Sequence, residues 1–331
     1  MARDMDVTVA VFTYNRCASL KQTLGALECV HVPESVGCEL IILDNQSTDD
    51  TAAMVRSYVM PRMAVRYVCE PRRGVAHARN TALAAARGEI VLCIDDDVRP
   101  PLNWIERMCA PILSGRAHAV AGGMKIAPHL ERPWMTPRHR AWMASTELFD
   151  ADDPPAIISA NMALSREVIA KVPGFDTELG PGALGFWEDS LFSWQIKKAG
   201  YRIASALDAV AEHHFDESRL LRSSCLDRAK KDGRSEAYVA YHWEHRQVTN
   251  PELQLARCVL RLTKWRFQRR REWLNLDEGA PEWEMDLVAA ANFFKQYLLE
   301  RKRPRNYEKH GLVKVRTQHE IGDDDPVRLT R

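Results

Sequence analysis

The stretch GVAHARNTALAAARGEIVLCIDDD, residues 74–97, holds two structural signals and one chemical signal. Its first half, Gly74 to Ala86, is rich in alanine, the best helix former, and is closed by Arg87 and Gly88. Its second half, Ile90 to Ile94, is a short apolar run with no polar face, the pattern of a strand covered on both sides. That run ends on Asp95, Asp96 and Asp97, whose charges repel one another. A buried strand that delivers adjacent carboxylates to its end calls for a cation to hold them there.

The same alternation extends in both directions. Val7 to Phe12, Glu39 to Leu43 and Ala64 to Val68 read as further buried strands, and Ser19 to Leu27 as a helix. Ser47 and Asp50 have capping-box spacing and would start a helix over Thr51 to Tyr58. Downstream, Trp104 to Leu113 reads as a helix and Ala117 to Gly123 as a strand. Residues 125–155 show little periodicity and read as an irregular excursion near the site. Ile157 to Leu164 reads as a strand interrupted by Asn161, and Glu188 to Ala199 as a helix stopped by Gly200. Tyr201 to Ala204 and Ala209 to Glu212 read as two short strands. The class is α/β, with a mostly parallel, Rossmann-like central sheet and helices on both faces. Such sheets bind ligands at the carboxyl ends of their strands. Thr13 and Asn15, Asp44 and Asn45, and Asp95 to Asp97 all stand at such ends. From residue 218 the chain turns helical and rich in Arg and Trp, which divides it into a catalytic domain, 1–217, and a mostly helical region, 218–331. The polar tail from about residue 303 is expected to be poorly ordered.

Composition removes some classes of function. A net charge of +1 gives no argument for nucleic acid as a partner. The eight cysteines contain no CxxC pair and read as reduced thiols of a cytoplasmic protein. The first residues lack the apolar run of a signal peptide, and no apolar run has the length of a membrane span. Residues 254–274 carry seven basic residues among many apolar ones. They read as a helix packed on the catalytic domain with a charged outer face, or as peripheral contact with the inner face of a membrane.

Asp95 and Asp97, two residues apart at the end of an extended strand, point the same way and suit Mg²⁺ or Mn²⁺, which normally also takes substrate phosphate oxygens. The plain alternative is an acidic surface turn. Five pieces taken in order sharpen the reading: VAVFTYNR (9–16), LIILDNQSTDDT (40–51), the quoted stretch, SANMALSRE (159–167) and GFDTELGPGALGFWEDSLFSWQIKKAGYRI (174–203). Over roughly residues 6–216 the chain resembles the inverting glycosyltransferases of family 2, which have the GT-A fold. The resemblance implies a nucleotide-sugar donor, UDP-sugar favoured, with Mn²⁺ or Mg²⁺ on the diphosphate. It also implies a carbohydrate, lipid-linked or small-molecule acceptor.

Carried over to this sequence, the resemblance implies that Phe12, Thr13 and Asn15 line the base and ribose pocket and that Asp44 accepts from the nucleobase. The alternative for Asp44 is to cap the following helix. Arg79 would lie over the nucleotide, Asp95 against the ribose, and Asp96 against ribose or metal-bound water. Asp97 and His213 would hold the metal, with His214 next to them, and Asn161 would face the donor sugar or the acceptor. Asp189 would be the general base, with Glu188 as the alternative base or an acceptor contact; first-turn helix acids are the plain reading of both. Arg219, Arg222 and Arg228 could close as a lid, Trp187 could stack on acceptor, and Trp194 reads as core. Three rivals stand. One is a retaining transferase on the same fold, and another a nucleotide-sugar binder without turnover. The third is a haloacid dehalogenase-type phosphatase, whose Asp-x-Asp motif normally follows the first strand and not the fourth.

Overall fold

The computed structural model describes residues 5–34 and 36–315. Its first half is the strand–helix repeat: β1 (Met5–Thr13), α1 (Cys17–Glu28), β2 (Val36–Asp44), α2 (Thr51–Ser57), β3 (Ala64–Cys69), α3 (Val75–Ala85) and β4 (Ile90–Asp95). There follow β5 (Val98–Arg99), α4 (Trp104–Leu113), β6 (Ala119–Ile126), α5 (Pro137–Trp142), β7 (Asn161–Ser165), α6 (Arg166–Lys171), α7 (Glu188–Lys198) and β8 (Ile203–His213). The helical region adds α8 (Arg222–His242), α9 (Pro251–Gln268) and α10 (Glu282–Glu300).

All eight strands form one sheet in the order β3-β2-β1-β4-β7-β6-β8-β5. The first four are parallel to one another. β7 runs antiparallel to both β4 and β6, β8 is parallel to β6, and β5 antiparallel to β8. The expected mostly parallel sheet is therefore a parallel half joined to a mixed half, flanked by helices, which is a GT-A-like arrangement. The two short strands expected around 201–212 are one strand, β8, with a register shift against β6 between Gly122 and Met124.

Alternation along each strand decides which helices cover which face. Val9, Leu40 and Leu92 pack with Leu20 and Leu24 of α1 and with Trp104 and Met108 of α4. Ala10, Ile41 and Val91 pack with Ala82 and Leu83 of α3 and with Phe192 and Ile196 of α7. Two buried layers leave the carboxyl ends of β1, β2 and β4 as the open edge. Register lines them up: Thr13 beside Asp44, and Phe12 beside Asp95.

Two local expectations are corrected. The start of α2 is not a capping box, because the Ser47 hydroxyl accepts from the Asn15 amide and Asp49, not Asp50, takes the Thr51 amide. The tail beyond 303 is packed as far as it is described. Asn306 donates to Glu178, the Tyr307 hydroxyl donates to Asp176 at 2.7 Å, and Lys314 pairs with Asp176 at 2.6 Å. The rest of that expectation, over 316–331, lies outside the described residues.

Candidate active site

The floor of the open edge is a chain of charges built by β1, β4 and β8. The three aspartates have different surroundings. Asp96 turns inward, where it accepts from the Thr13 hydroxyl at 2.7 Å and from Arg16 at 3.1 Å. Burial and the neighbouring Asp97 raise its carboxyl to about 7, against the pull of Arg16. Asp97 faces Arg16 at 2.5 Å and the Nε2 atom of His213 at 3.5 Å. Burial alone would raise Asp97, but His213 and Arg16 outweigh it and hold the carboxyl well below the usual range. Asp95 is the most open of the three and faces Arg79 at 3.8 Å.

His213 has a fixed tautomer. Its Nδ1 lies 2.8 Å from the Met143 carbonyl, which can only accept, so Nδ1 carries a proton and Nε2 is the ring atom turned toward Asp97. A second group orienting an imidazole in this way is typical of metal-binding histidines. A carboxylate and an imidazole suit Mn²⁺ or Mg²⁺, which keeps water and phosphate oxygens in its remaining positions. Among the described residues no three such side chains are already gathered into a cage, so any ion here would take the rest of its ligands from substrate and water. His214 faces away, 3.3 Å from Glu212.

Arg79 joins the two acidic ends. From α3 it reaches Asp95 on one side, and Glu188 at 2.8 Å and Asp189 at 3.4 Å on the other. Its guanidinium lies 5.9 Å from the Phe12 ring and 5.5 Å from the Phe175 ring. Arg79 is therefore an internal strut between acids, and its place over the nucleotide is not what the geometry gives. Phe12 and Thr13 are likewise buried beneath the edge as supports and do not line it. Asn15, by contrast, is exposed in a left-handed turn, and its side chain accepts from the Thr48 amide at 2.7 Å.

Asp44 is buried, accepting from the Ser47 amide at 2.8 Å and from the Tyr67 hydroxyl at 2.7 Å. The Ser47 bond closes the turn after β2 and caps no helix, since α2 starts only at Thr51 with Asp50 as its N-cap residue. Asn161 is a correction. It is 0 % exposed and sits in the sheet, where it accepts from the Trp104 indole at 2.8 Å and donates to the Gly123 carbonyl at 2.9 Å. It lies against Gly122, where a Cβ would come within 2.3 Å of its amide. Its polarity serves the core, so it cannot face donor or acceptor.

Glu188 and Asp189 open α7 and differ in access: their side chains are 7 % and 25 % exposed. Burial and the charge of Asp189 push the Glu188 carboxyl up to about 7, against Arg79. Asp189 also accepts from the Ser159 amide at 3.1 Å, which aims its carboxylate. The loop before α7 needs its glycines for close approach. A Cβ on Gly182 would come within 2.7 Å of the Gly74 Cα, and one on Gly180 within 3.0 Å of the Glu188 carboxyl carbon. The Val75 amide also donates to the Pro181 carbonyl, so α3 and the Glu188 loop are fixed together.

Other expectations dissolve into packing. Arg222 is paired with Glu284 of α10 and is no lid. The Trp187 indole donates to Asp232 at 2.9 Å, and Trp194, half-buried, stacks on Trp243. Arg16 and Tyr67 had been given no role. Arg16 lay within the matched stretch 9–16, but only the fold reveals that the residue after the β1 turn meets Asp96 and Asp97.

The model of the family "Glycosyl transferase family 2" matches residues 8–172, which carry β1 through β7, Asp44 and the three aspartates Asp95 to Asp97. The chain belongs to glycosyltransferase family 2. This glycosyltransferase is 26 % identical over 252 residues to the succinoglycan biosynthesis protein ExoM of Rhizobium meliloti, covering 74 % of this chain and 79 % of that one. Among solved structures it is similar to the mannosyltransferase PcManGT of Pyrobaculum calidifontis in complex with GDP-Man and Mn²⁺. There the TM-score is 0.53 at 22 % identity over 88 % of this chain and 70 % of that chain. S. aureus TarS in complex with UDP-GlcNAc matches with a TM-score of 0.50 at 17 % identity, covering 92 % and 93 % of the two chains. Both structures share the fold of this glycosyltransferase.

Proposed function

We propose that this glycosyltransferase moves a sugar from a nucleoside-diphosphate sugar to an acceptor hydroxyl with inversion, using Asp189 as the base and Asp97 with His213 to hold a divalent ion. The observation that carries this reading is the Arg79 strut, which sets an accessible carboxylate across the open edge from the Asp97–His213 pair. When bound, Mn²⁺ or Mg²⁺ would supply positive charge to the diphosphate as it leaves.

The transfer is one displacement. The acceptor oxygen forms a bond to the anomeric carbon, and the bond from that carbon to the diphosphate oxygen breaks with its electron pair on the departing nucleoside diphosphate. The hydroxyl proton passes to Asp189. Two features of the site support that role: Asp189 is reachable, and it is oriented by the Ser159 amide. Inversion rests on the resemblance to the family and on a single base opposite the leaving group. A retaining outcome would appear directly in the anomeric configuration of the product.

Donor recognition falls to the exposed turns after β1 and β3. Tyr14 is exposed beside Arg73, with its ring 5.4 Å from the guanidinium, and Asn15 lies next to it. These flat and polar groups suit a base and ribose. Asp44, behind them, would need to open toward solvent to accept from a pyrimidine N–H, so UDP is favoured by the resemblance more than by the contact.

No helix among the described residues is long and apolar enough to cross a membrane. We further propose that α9 rests on an anionic lipid surface at the inner face of the cytoplasmic membrane. Leu260 is 71 % and Phe267 74 % exposed on its outer side, and Arg257, Arg261 and Lys264 flank them.

The function is tested by changing Asp189 to Asn. The expected result is loss of transfer by about 10²–10⁴-fold with donor binding unchanged. Loss of donor binding in parallel would remove Asp189 from the role of base.

A further inference from the structure

A second charged site lies where the helical region meets the catalytic sheet. A cavity of about 420 Å³ is lined by Trp142, Phe186, Arg219, Ser223, Ser224 and Arg228, with Lys231 at its side. It stands between the Glu188 loop and the first turn of α8.

Arg228 is the unusual member. Its guanidinium lies 4.0 Å from the centre of the Phe186 ring and 5.6 Å from that of Trp142. Its buried Nε has no hydrogen-bond partner, and among the described residues no carboxylate or carbonyl accepts from it. The acids that face it are engaged elsewhere. Glu188 is held by Arg79, Asp232 by the Trp187 indole, and Asp227 by Lys231 at 2.6 Å. Arg219, another cation lining the cavity, lies 3.4 Å from the imidazole of His213 and 5.2 Å from the centre of the Phe215 ring. Desolvation, with the repulsion of Arg219, pushes the Arg228 guanidinium down to about 9.

An arginine kept charged, desolvated and unpaired is costly unless an anion arrives to pair with it. Two further features suit that anion. The first turn of α8, with Ser223, Ser224 and Cys225, lines the cavity, so the positive end of a long helix adds to the field. A planar guanidinium stacked on an aromatic ring offers a paired N–H edge of the kind that matches phosphate oxygens.

We propose that this cavity binds a phosphate group carried by the acceptor, with Arg228 as the residue that recognises it. This rests on the reading of Asp189 as the base, because it sets the anion on the Glu188 side of the site, where the acceptor must enter. Arg219 stands between this cavity and the donor side, lining the cavity and reaching the His213 imidazole at 3.4 Å. The shared chemistry is a phosphate monoester or diphosphate on a sugar, either free or attached to a lipid.

The test is calorimetric titration of glucose 1-phosphate into the enzyme already saturated with UDP and Mn²⁺. The wild type is expected to bind it, and Arg228→Met to bind it about tenfold or more weakly while UDP affinity stays the same. Equal binding by both proteins would overturn the proposal, as would binding seen only when UDP is left out, which would assign the anion to the donor site. A short-chain prenyl phosphate run in parallel separates the sources: about tenfold tighter binding than glucose 1-phosphate marks a lipid-carried acceptor, and equal binding a free one. If Arg228→Met does not fold, phenylglyoxal labelling of the wild type takes its place. Glucose 1-phosphate should protect Arg228 in the presence of UDP and Mn²⁺, and unprotected labelling would overturn the idea. Failure of UDP itself to bind would count against the donor reading and not against Arg228.

Discussion

Arg79 decides most of the chemistry at the scale of single residues. It is buried and is the cation shared by Asp95, Glu188 and Asp189. Changing it to Met leaves those acids without a cation and should cost about 3–5 kcal/mol, visible as a fall of several degrees in melting temperature. A conventional substrate contact would lower affinity and leave the melting temperature in place. The second prediction concerns pH. Below about 7 the Glu188–Asp189 pair takes up a proton, because burial and mutual repulsion raise Glu188. Transfer should therefore decline on the acid side with a midpoint near neutrality. Glu188→Gln removes the group that takes up this proton, so the limb near neutrality should be lost from the profile. An unmoved limb would mean that Glu188 does not act on the base.

At the scale of elements, the loop before α7 and the start of α3 act as one piece. A Cβ at Gly180 would meet Val75 at 2.8 Å on a backbone with φ of +84°, so Gly180→Ala must displace Glu188 or α3. The expected result is a fall in kcat of about tenfold or more with UDP affinity retained, since only the base end is moved. Within the sheet, Trp104→Phe would strip Asn161 of its donor and cost about 1–3 kcal/mol, with the kinetics of the remaining folded enzyme unchanged.

These elements also show what a sequence can reveal. Strand and helix periodicity located the repeat from β1 to β4 to within a few residues, because each buried strand there is an uninterrupted apolar run. The acids at strand ends were legible for the same reason, since polarity at the edge of such a run has few structural causes. The mixed half was harder to read. β7 takes its place from partners far away in the chain, and Asn161 reads as an interruption until Trp104 and Gly122 are seen to enclose it. Arg79 looked like a substrate contact because local sequence records its charge but not the acids brought to it from more than 100 residues downstream.

At the scale of the whole molecule, the helical region packs on the loop before α7 through Ser235 and Asp232 and exposes Leu260 and Phe267 on α9. If α9 meets a membrane, the wild type should co-sediment with vesicles containing anionic phosphatidylglycerol. The Leu260→Asp, Phe267→Asp double variant should remain in the supernatant with its melting temperature unchanged, since both side chains are exposed. Equal recovery of both proteins in the supernatant would leave α9 with a purely structural part. The central claim is that an ion held by Asp97 and His213 and a donor held beside it form one site. It is tested most directly by titrating UDP into the protein with and without Mn²⁺, in the wild type and in Asp97→Asn. The account predicts that Mn²⁺ strengthens wild-type binding by about tenfold or more and has little effect on the variant. Wild-type affinity that is the same with and without the ion would contradict it.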